Sequence, residues 1–324
     1  MARAEDKPTV VMDMHPFAQL PCTFGQYRLL RLIARSMALV YEAEDSRSGR
    51  KVALKMPSEH HVLTEEARRR FLREVKLTSH LAHAGIVPVY DSGEHNGIPY
   101  YTMPFIQGER LDTYLDSQST SLMDKVQLFA KLARVVAALH QEGLVHRDLK
   151  PANILVDQYG EVRLLDFGLA KSTRVPTDVT LARTFLGTLD YMAPEQASAT
   201  SEVGPAADVY ALGIMMYRGF TGEPPYLTGD DARIALRQIA EAKPRRMSEF
   251  ARDVPLELER LVLDCLHKKP EQRPADASVL VERMGSLPEA ETTSRLRLVA
   301  GMGLVVLGGA LLAAGIYHAL PYWR

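Results

Sequence analysis

Cysteine is almost absent: Cys22 and Cys265 are the only two among 324 residues. Two cysteines build neither a disulfide framework nor a zinc site, so a reducing compartment is expected. An excess of either charge is also missing. The chain carries 39 Lys+Arg against 40 Asp+Glu, a net charge of -1. A general nucleic-acid binder shows a basic surplus, so no nucleic-acid partner is expected. The most local deficit lies near the C-terminal end, where the 26 residues from Leu298 to Trp323 contain no Asp, Glu, Lys or Arg. The averages elsewhere are ordinary, at 46% apolar and 24% charged. They exclude a disordered, collagen-like or polytopic membrane chain.

The uncharged stretch reads as one transmembrane helix over residues 298–320. About 20 helical residues at 1.5 Å each cross a hydrocarbon core of about 30 Å, and Leu298 to Tyr317 is long enough. Arg295 and Arg297 precede it, and Tyr317, Tyr322 and Trp323 stand at its far end. Basic flanks face the cytoplasm and aromatic rings favour the interface. The expected arrangement is a single pass through the cell membrane, with residues 1–297 cytoplasmic and a short tail, 321–324, outside. The bilayer is thus an expected partner. The start of the chain, MARAEDKPTVVMD, is too charged for a signal peptide. Gly309 and Ala313 form a small-xxx-small pair, the basis for expecting a homodimer.

Residues 1–24, broken by Pro8, Pro16 and Pro21, read as a flexible arm. Tyr27–Leu32, Leu39–Ala43, Lys51–Lys55 and Tyr100–Phe105 read as short strands, and 65–80 as a helix with Phe71, Leu72 and Val75 on one face. After Gly108 the pattern turns helical. Ser121 and Asp124 have capping-box spacing. Leu122, Val126, Phe129, Ala133, Val136 and His140 recur with helical period until Gly143. Strands first and helices later predict an α+β protein in two lobes. The link 285–297 reaches at most about 40 Å when extended.

Three clusters follow in order: Val52-Ala53-Leu54-Lys55; His146-Arg147-Asp148-Leu149-Lys150-Pro151-Ala152-Asn153; and Asp166-Phe167-Gly168, with Gly187-Thr188 and Ala193-Pro194-Glu195 beyond. From residue 25 to 284 the sequence resembles the eukaryotic-type (Hanks-type) protein kinases, and most closely their bacterial, membrane-anchored serine/threonine members. The resemblance implies a small β-rich N-lobe, a larger helical C-lobe, and transfer of the ATP γ-phosphoryl group to Ser or Thr of a protein substrate. Phosphoryl transfer depends on positioning and charge neutralisation. On that likeness Lys55 holds the α/β-phosphates with Glu74 as its carboxylate partner. Asp148 accepts the substrate hydroxyl proton, Lys150 reaches the transferred group, and Thr188 orients both. Asn153 and Asp166 are hard oxygen ligands for Mg²⁺, with Mn²⁺ as an alternative ion. Val40, Ala53 and Leu155 match the adenine clamp, Met103 the gatekeeper, and Pro104 to Ile106 the hinge. Asp208 and the pair Glu195–Arg273 match scaffold positions. With so short a link, substrates at the membrane are favoured.

One part of the family pattern is missing. Where a glycine-rich loop is expected, the chain reads Leu32-Ile-Ala34-Arg-Ser36-Met-Ala38-Leu-Val40-Tyr41. Ala34, Ser36 and Ala38 replace the glycines, and the loop is one residue short. A Cβ at each place would hold the backbone off the phosphates, and left-handed geometry there would cost about 1–2 kcal/mol per residue. The alternative reading is therefore a pseudokinase, a nucleotide-poor binding or scaffold module. Arg147 is the family's partner for a phosphorylated activation loop, which points to Thr184 and secondly Thr180 as autophosphorylation sites. His60-His61 and His80-x-x-His83 have no Cys or carboxylate cluster to complete a metal site and read as surface or packing residues.

Overall fold

The computed structural model describes residues 17, 19–35, 38–58, 71, 75, 81–117, 120–165, 189–198, 203–227 and 231–287. The first half forms a six-stranded antiparallel sheet: β1 (Cys22–Phe24), β2 (Tyr27–Arg35), β3 (Ala38–Asp45), β4 (Lys51–Pro57), β5 (Asp91–His95) and β6 (Ile98–Pro104), in the order β1-β2-β3-β4-β6-β5. Period-two alternation divides β4 between two cores. Val52, Leu54 and Met56 join Phe24, Tyr27, Leu29 and Tyr41 on one face. Ala53 turns to the other, with Phe71, Val75, Tyr101 and Met103. The β3–β4 turn is held by the Asp45 carboxylate, which accepts from Arg47 N at 3.1 Å and Ser48 Oγ at 2.6 Å.

The arm expected over residues 1–24 is shorter than the sequence suggests. Cys22–Phe24 pair with Tyr27–Leu29. The Phe17 ring packs edge-on against Phe24 and Tyr41 at centroid distances of 5.7 and 5.9 Å. These apolar groups lie among prolines, so periodicity does not reveal them, yet they cover one end of the sheet's core. Most of the expected 65–80 helix lies outside the described residues; Phe71 and Val75 within it are helical and buried.

The second half holds α1 (Leu111–Ser117), α2 (Leu122–Gln141), α3 (Pro194–Ser198), α4 (Pro205–Thr221), α5 (Ala232–Glu241), α6 (Leu256–Cys265) and α7 (Ala277–Gly285). A small antiparallel ribbon, β7 (Gly108–Arg110), β8 (Ile154–Asp157) and β9 (Val162–Leu164), lies on it. The capping box of α2 is present: Asp124 N donates to Ser121 Oγ, and Ser121 N to the Asp124 carboxylate, both at 3.2 Å. α4 is apolar nearly all round and forms the centre of the lobe, as such a helix must. Leu287 packs against this core, so the domain continues past residue 284.

Among the described residues, two backbone connections join the lobes. One is the chain itself between β6 and β7. The other is a pairing of the segment before β5 with β9: Leu164 N donates to Gly85 O at 2.7 Å and Val87 N to Leu164 O at 3.1 Å. The Arg163 guanidinium also bonds the Ala84 carbonyl. The two-lobed α+β architecture is thus observed. Among the described residues no helix is long and apolar enough to cross a membrane; 298–320 lies outside them.

Candidate active site

The N-lobe contributes two cross-strand rows. Val40, Lys55 and Tyr101 are neighbours across β3, β4 and β6, and Glu42, Ala53 and Met103 form the next row but one. Lys55 is buried at 8% exposure, with its Nζ 5.4 Å from the Tyr101 ring centroid. Ala53 and Met103 are buried in one apolar cluster, with Val40, Phe105, Ile106 and Leu165 packed against it. Pro104 ends β6 opposite Val52. Leu155 alternates with the buried Ile154 and Val156 of β8 and is not a member of this cluster; Leu165 is.

The C-lobe contributes the loop that carries Asp148. Arg147 has φ 66°, one of two non-glycine residues with positive φ among those described. A left-handed non-glycine residue costs about 1–2 kcal/mol, and buried hydrogen bonds oppose that cost. His146 N and Arg147 N donate to the two oxygens of Asp208 at 2.7 and 2.9 Å, and Gln196 Nε2 donates to Arg147 O at 2.8 Å. Asp208 is 1% exposed and also meets His140 Nε2 at 3.0 Å. Ala277 N donates to His140 Nδ1 at 3.1 Å. Nδ1 is then an acceptor, which places the ring proton on Nε2, facing the carboxylate. A buried carboxylate is costly unless it is bonded in this way.

Asp148 N donates to His146 Nδ1 at 3.2 Å, which leaves His146 Nε2–H for Leu165 O at 3.4 Å. Asn153 Nδ2 donates to Asp148 O at 2.8 Å and to Asp148 Oδ2 at 3.1 Å. Lys150 Nζ stands 3.2 Å from the same Oδ2. Leu165 N bonds Asn153 O at 2.8 Å, so the residue before Asp166 is knitted to this loop. Farther down, Glu195 and Arg273 make a buried bidentate pair at 2.7 and 2.8 Å. The remaining donors of Arg273 are used by the carbonyls of His267, Ala206 and Lys268. The model of the protein kinase domain matches residues 35–283.

The chain belongs to the protein kinase family. The chain is 36% identical to the serine/threonine-protein kinase PknA of Mycobacterium tuberculosis over 256 residues, 77% of the chain and 58% of PknA. It is 36% identical over 261 residues to the DNA damage-responsive serine/threonine-protein kinase RqkA of Deinococcus radiodurans, covering 79% of the chain and 38% of RqkA. With the PrkC kinase of Bacillus subtilis the identity is 34%, over 77% of the chain and 38% of PrkC. The chain therefore spans between 38% and 58% of these relatives' lengths. The crystal structure of the Mycobacterium tuberculosis PknI kinase domain superposes with a TM-score of 0.64 at 26% identity, over 82% of this chain and 96% of that one.

Of the kinase residues singled out in the sequence, the structure brings together Val40, Ala53, Met103 and Ile106 in one cluster, and Asp148, Lys150 and Asn153 in another. Glu74, Asp166, Thr180, Thr184 and Thr188 lie outside the described residues. Sequence reasoning missed His140 and Gln196 as supports of the catalytic loop. Their signals were faint: His140 sits on the apolar face of α2, and Gln196 directly follows Ala193-Pro194-Glu195. For a divalent cation the donor chemistry fits. Both Nδ2 bonds of Asn153 are committed to Asp148, and its Oδ1, a hard neutral oxygen, accepts no hydrogen bond among the described residues. No cluster of three or more His, Cys, Asp or Glu forms a metal site among the described residues.

The roof of the cleft also differs from expectation. β2 and β3 stay paired to the tip of their hairpin, with Ala34 opposite Val40 and Arg35 opposite Leu39. Neither Ala34 nor Ala38 has positive φ. The left-handed penalty expected from the missing glycines is therefore not incurred at these two positions. Ser36 lies outside the described residues. Ala34 is across from Val40, and Ala38 is two residues before it on the same face, so both methyl groups share the face that carries the Val40 clamp.

Proposed function

We propose that the chain is an ATP- and Mg²⁺-dependent protein serine/threonine kinase held at a membrane by residues 298–320. The observation that carries the reading is the hydrogen-bonded set Asp148, Lys150 and Asn153, within 3.2 Å of one carboxylate oxygen. Asp148 accepts the proton of a substrate Ser or Thr hydroxyl. The hydroxyl oxygen bonds to the γ-phosphorus, the bond to the β,γ-bridging oxygen breaks, and ADP leaves with that electron pair. Lys150 stands at the Asp148 Oδ2 that Asn153 also bonds, where its positive charge offsets the negative charge gathering on the phosphoryl group. Lys55, buried beside the adenine clamp, holds the α/β-phosphates, with Glu74 as its partner. Asn153 and Asp166 would hold Mg²⁺, which when bound neutralises the phosphate oxygens. Thr188 supports Asp148 and Lys150. Val40, Ala53, Met103, Ile106 and Leu155 enclose the base, and the carbonyl of Pro104 serves the hinge.

The membrane reading rests on the uncharged run and its basic and aromatic flanks. It places the kinase domain on the cytoplasmic face, close to membrane-associated protein substrates, with dimerisation through Gly309 and Ala313. Thr184 and Thr180 are the proposed autophosphorylation sites, with Arg147 as the phosphate partner. One observation keeps the scaffold reading in play: alanines stand where phosphate-facing glycines belong. Transfer of radiolabelled γ-phosphate to the chain or to a generic protein substrate separates the two. Wild type should label, and Lys55→Ala and Asp148→Asn should lose at least about a hundredfold. Equal incorporation in all three would defeat the enzyme reading, and nucleotide-independent stability with no incorporation would establish the scaffold.

A further inference from the structure

Every residue of α4 from Ala207 to Phe220 is buried except Arg218. A cation in the last turn of a helix has an ordinary explanation, since it faces the negative end of the macrodipole. That end already has one: Lys125 Nζ donates to Gly219 O at 2.9 Å. The Arg218 side chain goes elsewhere. Helical side chains lean toward the N-terminus, and Arg218 Nη1 lies 3.5 Å from the Tyr191 hydroxyl. Tyr191 is 8% exposed and lines a small polar cavity together with Arg147, Asp148 and Gln196. Arg218 is therefore one tyrosine away from the cavity that holds Asp148.

The charges around this place can be named. Tyr191 feels Arg218, Asp190 and Asp112. Asp112 is held by Arg110 at 3.1 and 2.6 Å. Lys150 is paired with Asp148. Arg147 Nε is buried without a hydrogen-bond partner among the described residues. Arg218 is exposed and makes no ion pair among the described residues; the carboxylates that share its surroundings at Tyr191 are Asp190 and Asp112. The planar fork of Arg218 matches a carboxylate and repels a basic side chain.

We infer that Arg218 is a specificity-determining residue, selecting an acidic side chain of the protein substrate close to the phosphoacceptor Ser or Thr. The inference rests on the protein-kinase reading above, and binding without turnover tests it separately. Two fluorescein-labelled peptides carry Ala in place of the phosphoacceptor. One is flanked by Glu, and the other is identical except for Arg at those places. Titrated with the full chain at low salt and followed by anisotropy, the Glu peptide should bind about fivefold to tenfold more tightly. Arg218→Gln should cut that ratio to about twofold, and Arg218→Glu should reverse it. Asp190→Asn should widen it. Circular dichroism melts of each variant verify the fold. A wild-type preference for the Arg peptide, or a ratio unchanged in both Arg218 variants, overturns the inference. A chain that shows the preference but transfers no phosphoryl group to the Ser version of the peptide keeps this inference and loses the kinase reading. Equal kcat/KM for Glu- and Arg-flanked Ser peptides does the opposite.

Discussion

Asp148 stands on a loop tied to α4 by Asp208 at 2.7 and 2.9 Å and to Gln196 of α3 at 2.8 Å. Ala34 and Ala38 stand on a hairpin that relies on strand pairing and on ion pairs at its surface, such as Arg31–Glu42 and Lys51–Glu42. The two regions face each other across the cleft and solve the same problem differently. The floor keeps a left-handed arginine because buried acceptors and donors fix the peptide on both sides of it. The roof lacks glycine, and at both alanines its backbone avoids positive φ altogether. An unfavourable backbone conformation persists only where neighbours over-determine it.

The sharpest way to break the contrast is at Asp208. Asp208→Asn replaces one acceptor oxygen with an amide donor against His146 N, Arg147 N or His140. We expect a loss of about 2–4 kcal/mol in stability, measured by urea denaturation. We also expect kcat to fall about a hundredfold as Asp148 moves, with the KM for ATP little changed. If KM alone moves, the loop is not what Asp208 positions.

Ala34→Gly combined with Ala38→Gly probes the roof. Because neither alanine is left-handed, only the obstruction by two methyl groups is removed. ATP affinity should rise by less than about tenfold, read by calorimetric titration. Each glycine should cost roughly 0.5–1 kcal/mol of stability. A gain of a thousandfold would show that the roof is the defect that a scaffold reading requires.

The smallest effect belongs to Glu42. Its bond from Lys51 holds the carboxyl below its ordinary value, opposed by burial and helped by Arg31. A lowered folded value means that the stability is present above the unfolded value of 4.5 and is lost as pH falls through the folded one. Glu42→Gln should flatten the change in unfolding free energy between pH 5 and pH 3 by less than about 1 kcal/mol, read from urea denaturation, since its partners are 66% and 51% exposed.

Local signals carried much of this structure. The capping box at Ser121 and the short strand segment Lys51–Lys55 were legible directly, and the order of strands before helices pointed to the two lobes. Other parts were hidden for physical reasons. β5 reads Asp91-Ser-Gly-Glu-His95, with no apolar alternation, because as an edge strand it is mostly exposed. Its one signal was Asn96-Gly97, whose φ values of 51° and 78° make the two-residue hairpin turn. β1 was lost among prolines. Two supports of the Asp148 loop, His140 and Gln196, escaped because they come from separate helices, α2 and α3, and because a buried histidine such as His140 reads like any other polar residue on a helix face.

The pairing of Gly85 and Val87 with Leu164 has a mechanical consequence. The N-lobe is fastened to the C-lobe there and again through the chain at 105–107. A body pinned at two points retains a single rotation, about the line between the pins. Leu164 precedes Leu165, whose carbonyl meets His146 and whose amide meets Asn153. The axle therefore runs beside the floor. Opening and closing would sweep Ala34 and Ala38 through a wide arc like the lip of a visor, while Asp148 and Asn153, close to the axle, stay nearly still.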